Sequence, residues 1–170
     1  AILNESGLAR LRLGHPWLFR GNLRTFPEAT PGDLVAIRDG KGVAAWGFWS
    51  DSSLCLRVLT RGPQRPDLEA LLADRIGRAQ DIRKRFLPGD DAYRLLHGEA
   101  DGLPGLVADR YGPVLCVQLL SAGWRLRRDA VAVQQIQKVE RLADLVAFHQ
   151  TPPRRRRQSA APLRRRDIGI

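Results

Sequence analysis

The sequence predicts an α+β protein: a small, mostly β, barrel-like unit over residues 1–62, then a small α/β unit over residues 67–145. Three observations carry this. Short apolar runs separated by Gly, Pro, Asp and Ser fill the first part, as strands joined by tight turns do. A proline-rich break at 62–66 is followed by one long run with apolar residues three and four apart, the helical period. Strand-like runs then return.

In the first unit, Leu34–Arg38, Val43–Trp49 and Leu54–Thr60 read as strands. The DGKG at 39–42 is a hairpin signal, because glycine takes positive φ freely, and SDSS at 50–53 joins the next pair. PGD at 31–33 is a further turn. Ahead of it, His15-Pro16-Trp17-Leu18-Phe19 is a compact apolar run between Gly14 and Gly21. In the second unit a helix is expected from Asp67 to Phe86. Leu68, Leu71, Leu72, Ile76, Ala79, Ile82 and Phe86 form its apolar face, and Asp67 caps its start. Arg83, Lys84 and Arg85 complement the dipole at its end, which Pro88-Gly89 closes. Tyr93–His97, Gly105–Arg110 and Val114–Leu120 read as strands, with a turn at Tyr111-Gly112-Pro113 and Ser121 capping a second helix through the 120s and 130s. Residues 146–170 form a basic tail with little to bury, expected to be disordered.

With 44% apolar and 27% charged residues, the 170-residue chain has the composition of a globular protein. No window approaches the roughly 20 apolar residues that cross a bilayer. The N-terminus has arginines where a secretory signal needs an unbroken apolar stretch. Two cysteines, Cys55 and Cys116, are too few for a disulfide scaffold. A cytoplasmic protein is therefore expected. The net charge is +10 and sits at the ends: four Arg against one Glu in residues 1–24, and seven Arg against one Asp in 150–170. Such a distribution favours a phosphate-bearing partner through counterion release. Arginine supplies 25 of the 28 basic residues; its planar fork suits phosphates, and a GC-rich coding sequence would favour it equally.

No active site can be read from the residues. Glu99, Asp101 and Asp109 are close in sequence and could bind a divalent cation or act as an acid–base pair, yet turns recruit acids for backbone amides in the same way. GEADGLPG at 98–105 precedes a strand, whereas a phosphate cradle opens a helix. Cys55 and Cys116 lie in apolar runs and read as core thiols. His15, His97 and His149 show no metal spacing. Catalytic, cofactor-binding and metal-binding residues are accordingly not expected. One binding constellation does stand out: Arg10, Arg12, His15, Trp17, Arg20 and Arg24. Bases stack on Trp, His and Arg planes while guanidinium groups hold phosphates, the mode by which looped RNA is bound. Against this, Trp17 and Phe19 read first as core anchors of the barrel, and the arginines can serve RNA even with these aromatics buried.

Gly14–Phe19 (GHPWLF), Ser50–Arg57 (SDSSLCLR) and Tyr93–Gly123 (YRLLHGEADGLPGLVADRYGPVLCVQLLSAG) resemble the bacterial S-adenosylmethionine-dependent methyltransferases that modify carbon 5 of cytosine in large-subunit ribosomal RNA. The resemblance covers roughly residues 6–128. It implies a PUA-like RNA-binding barrel over 1–62, a linking domain after it, and ribosomal RNA as partner. The family's third, Rossmann-like domain carries the cofactor loop and the catalytic cysteine, and none of its motifs is found here. The expectation is an RNA-binding fragment that holds no S-adenosylmethionine itself, with residues from the 130s onward read out of frame. A stand-alone ribosome or RNA adaptor is the alternative. The apolar face left uncovered in the second unit could recruit a second copy, giving a homodimer.

Overall fold

The computed structural model describes residues 1–132 and 145–149. Its first unit is a six-stranded sheet built from β1 (Ile2–Leu3), β2 (Trp17–Phe19), β3 (Leu23–Thr25), β4 (Leu34–Arg38), β5 (Val43–Trp49) and β6 (Leu54–Arg61), in the order β2-β6-β5-β4-β1-β3. The two edge strands, β2 and β3, are consecutive in the chain and joined only by a 3-10 turn at Arg20–Asn22. A three-residue link cannot span an open sheet, so the sheet curls until its edges nearly meet. Leu18, Ile37, Ala45, Cys55, Leu56 and Val58 fill the interior. All the strands expected in this unit are present. The DGKG turn is held by Asp39, whose Oδ1 accepts from the amides of Lys41 at 2.9 Å and Gly42 at 3.0 Å.

The sequence reading assigned no element to the first dozen residues, where the structure has a helix, α1 (Glu5–Arg12). Asn4 caps it, accepting from the Gly7 amide at 3.0 Å. A Cβ on Gly7 would stand 2.2 Å from the Asn22 carbonyl oxygen. The glycine, a poor helix former in isolation, is what lets α1 lie directly on the Arg20–Asn22 turn.

The second unit is a helix on a largely antiparallel sheet. Helix α2 (Leu68–Phe86) starts at Asp67, whose carboxylate accepts from the amides of Glu69 and Ala70. Strands β7 (Ala92–His97), β8 (Leu106–Tyr111) and β9 (Val114–Leu119) form a meander, and β10 (Leu145–His149) pairs in parallel with β9. Residues 146–149, assigned to the tail from the sequence, are thus paired in the sheet, while 150–170 lie outside the described residues. The expected helix face is only partly buried. Leu72, Ile76 and Ala79 are covered, but Ile82 is 50% and Phe86 69% exposed. The apolar period runs on past the sheet that would cover it. Beyond β9, Ser121 caps a short helix, α3 (Ala122–Arg125); the chain turns at 126–127 and is helical again over 128–132.

The two units share a core. Phe48 and Leu59 of the barrel belong to the same cluster as Leu72, Ile76, Leu106, Leu115 and Trp124. Phe48 meets the Trp124 ring edge-on, with centroids 5.0 Å apart, and the Trp124 indole N–H donates to the Pro104 carbonyl at 3.0 Å. Among the described residues no helix is long and apolar enough to cross a membrane.

Candidate nucleic-acid interface

Helix α1, seated on the turn by Gly7, carries Arg10 onto the edge strand β2. The Arg10 guanidinium lies 5.3 Å from the centroid of Phe19. Its Nη2 meets His15 Nε2 at 2.9 Å, and its Nε donates to the Trp17 carbonyl at 3.4 Å. His15 and Trp17 are neighbours in turn, with ring centroids 5.9 Å apart. Arg10, His15 and Trp17 therefore come together as one half-exposed group, with Phe19 as its outer aromatic. Phe19 is 37% exposed, so the reading of it as a core anchor is corrected: strand β2 is only three residues long, and Leu18 alone turns fully inward. Trp17 is half-buried, and its indole nitrogen donates to Glu99 Oε1 of the second unit at 2.8 Å. It anchors the junction between units rather than the barrel interior.

Arg20 belongs to a second group. It stacks over Phe26 at 5.3 Å and Trp49 at 5.9 Å, and its Nη2 donates to the Asp51 carbonyl at 2.9 Å. Arg12 and Arg24 are exposed, and no contact among the described residues joins either to these two groups. The residues around the Arg20–Asn22 turn thus form two arginine–aromatic platforms, Arg10/Phe19 and Arg20/Phe26, with Arg12 and Arg24 as further charges. A guanidinium already placed over a ring is held before a ligand arrives, which reduces the side-chain entropy lost on binding. Replacing Gly7 with Ala tests this arrangement. It is expected to lift α1 off Asn22 and destabilise the barrel by about 1–3 kcal/mol through overpacking, measured by thermal melting.

The three acids singled out from the sequence have structural partners. Asp101 takes both guanidinium nitrogens of Arg83 at 2.8 Å each and the His97 amide at 2.6 Å. Asp109 pairs with Arg94 at 2.8 and 3.1 Å. Glu99 holds Trp17. Among the described residues no group of His, Cys, Asp or Glu is placed to hold a metal ion. Cys55 is fully buried, with its thiol directed at the Leu18 carbonyl. Burial pushes it up to about 11, so it carries no thiolate at neutral pH.

An open cavity of about 410 Å³ lies between Leu34, Arg65, Leu68, Leu72 and Trp124, over the start of α2. The α2 amides at 69 and 70 are already bonded to Asp67, and the turn before α2 contains one glycine, Gly62. Asp67, Glu69 and Arg127 also line the cavity.

Residues 1–61 match the model of the PUA-like domain. That is the barrel with its arginine platforms. Over the longer chain, 135 residues are 41% identical to the Ribosomal RNA large subunit methyltransferase I of Salmonella arizonae, covering 76% of this chain and 34% of that protein. The protein of the same name from Cronobacter sakazakii is 39% identical over 122 residues, covering 69% of this chain and 31% of that one. The chain spans about a third of the length of these curated relatives. A solved Streptococcus mutans protein, described as an S-adenosylmethionine-dependent methyltransferase, superposes with a TM-score of 0.70 at 17% identity. The superposition covers 80% of this chain and 36% of that one, and it shows a shared fold.

The similarity extends through both units, so the PUA-like barrel and the helix-on-sheet unit occur together in the relatives. Sequence reasoning did not single out Phe26, nor the arginines of β6 and α3 that border the junction. Burial along β6 does not alternate, and a register shift lies between Val58 and Thr60, so strand period alone does not mark half-buried Arg57 or exposed Arg61.

Proposed function

We propose that the chain is an RNA-binding portion of a ribosomal RNA methyltransferase. It grips large-subunit ribosomal RNA through the PUA-like barrel, while the cytosine-C5 methyl-transfer site and the S-adenosylmethionine pocket lie outside residues 1–132. The observation that carries this is the pair of arginine–aromatic platforms on the PUA-like unit of a chain similar to ribosomal RNA methyltransferases. In this reading Arg12, Arg20 and Arg24 hold backbone phosphates. Phe19 and Phe26, each under a guanidinium, offer faces on which unpaired bases stack. Arg10, braced by His15 and the Trp17 carbonyl, positions the first platform.

The test uses the full chain with its seven tail arginines (154–157 and 164–166) changed to Gln, so that a polycationic segment does not dominate the signal. Labelled large-subunit ribosomal RNA is titrated at several salt concentrations. Affinity is expected to fall steeply with salt, and Arg12→Ala with Arg20→Ala to weaken binding on the order of tenfold without lowering the melting temperature. Affinity unchanged in that double variant would rule out the barrel platforms as the site. Calorimetry with S-adenosylmethionine is expected to show no binding; a saturable heat would place the pocket in this chain. An adaptor role predicts instead that the main partner recovered at moderate salt is a protein.

A further inference from the structure

We infer that the RNA-binding surface continues from the barrel across the junction onto the second unit, where Arg57, Arg61 and Arg125 form a row of phosphate contacts. The inference rests on the RNA-binding reading above and extends it to residues outside the PUA-like platforms.

The geometry begins at Trp17, which is both the inner member of the first platform and a bond across the junction to Glu99. Its partner in the adjacent strand β6 is Arg57. The Arg57 side chain crosses to the second unit and lies on the backbone of Gly105, where a Cβ would stand 3.3 Å from its Nε and 3.0 Å from the Ser121 Cβ. Its guanidinium donates no hydrogen bond to any described residue. Half-buried guanidinium groups without an acceptor are costly, because water is removed and nothing replaces it. Burial is the main influence lowering its proton affinity; Glu99 opposes this and Arg125 adds to it. Glu99 is the one acid named in that balance, and it already accepts from Trp17 at 2.8 Å.

Two exposed cations flank Arg57. Arg125, at the end of α3, makes one long hydrogen bond, from Nη1 to the Leu119 carbonyl at 3.4 Å. Arg61, at the end of β6, reaches to 3.9 Å from where a Gly14 Cβ would be, beside the loop that carries His15. Between them Arg75 is fixed by donating to the carbonyls of Leu59 and Gly102, and it adds positive charge next to Arg61. The row therefore runs from the His15 loop past Arg61 and Arg57 to Arg125. It carries several guanidinium groups against two carboxylates, Glu99 and Asp74, which already accept from Trp17 and Arg78. An anionic backbone lying along it would supply the acceptor that Arg57 lacks and further ones for the exposed Arg61 and Arg125. A polyanion with regularly spaced phosphates fits a row of this kind better than a single small anion does.

Labelled large-subunit ribosomal RNA and the full chain with the glutamine-substituted tail test this directly. The variants are Arg61→Gln with Arg125→Gln, both at exposed positions, and separately Arg57→Gln. The exposed pair is expected to weaken RNA binding about tenfold at physiological salt and to reduce the slope of log affinity against log salt by about one per contact, with the melting temperature unchanged. Arg57→Gln is expected to weaken binding at least as much, and its melting curve shows whether folding is intact. Unchanged affinity and slope in the exposed pair, while Arg12→Ala with Arg20→Ala still weakens binding, would overturn this inference and leave the barrel reading standing. Loss of RNA binding in neither set, or no binding by the parent chain, would overturn both.

Discussion

Replacing Asp101 with Ala is expected to destabilise the chain by about 3–5 kcal/mol, the largest single effect that the described contacts support. Its carboxylate holds both terminal nitrogens of Arg83, and the two side chains retain only 7% and 15% of their exposure. It also accepts from the His97 amide at 2.6 Å, which fixes the end of β7. The alanine variant would leave the His97 amide without its side-chain acceptor and the largely buried Arg83 guanidinium with only long bonds to the Arg94 and Ala79 carbonyls, at 3.3 and 3.5 Å. Two other ion pairs calibrate the claim. Arg94–Asp109 is half open, with 47% of the Arg94 side chain exposed, and Arg78–Asp74 is 75% and 52% exposed. Removing Asp74 should change stability by about 0–1 kcal/mol, within the range for solvated pairs. Chemical denaturation of the three alanine variants checks the order: Asp101 largest, Asp109 intermediate, Asp74 near zero. Equal effects would show that burial of the Arg83 pair is not what makes it important.

Gly123→Ala should give the second large effect, and it acts on the junction rather than on one unit. A Cβ there would fall 2.2 Å from the Phe48 ring, and Phe48 is the barrel residue that stacks edge-on against Trp124. Neither ring can retreat, since both are almost fully buried. Overpacking of this kind is expected to cost about 1–3 kcal/mol, and here it would push α3 off the barrel. Faster hydrogen exchange along β5 and at Trp124, with the barrel interior around Ile37 and Leu56 still protected, would be the signature. A global loss of protection would instead indicate that the two units fold only as one. Because Arg57 and Arg125 lie on the two sides of this junction, near enough for their charges to repel, the variant should also weaken RNA binding.

How far the sequence specifies these features depends on how local their causes are. Helix α2 is legible because its cap, its apolar period and its charged ends all lie within twenty residues of one another. The turn at Asp39–Gly42 is legible for the same reason. Helix α1 is not, since its eight residues include Gly7, and its stability comes from lying against Asn22, fifteen residues away. Ile82 and Phe86 continue the helical period but outrun the sheet, a length mismatch that no pattern within α2 reveals. The spacing of Arg10, His15 and Trp17 correctly suggests neighbours. That Trp17 is bonded to Glu99, 82 positions later, is set by how the two units dock. The same holds for Arg57: burial in β6 does not alternate, and only the docked second unit shows what its side chain faces.

The account requires RNA to touch a particular surface rather than merely a positively charged chain. Ultraviolet crosslinking of large-subunit ribosomal RNA to the full chain, followed by peptide mapping, reads that surface directly. Crosslinks are expected in the peptides spanning residues 10–26, around Phe19 and Phe26, and in those containing Arg57, Arg61 and Arg125. Crosslinks confined to residues 150–170, with none on the barrel or the junction, would contradict it.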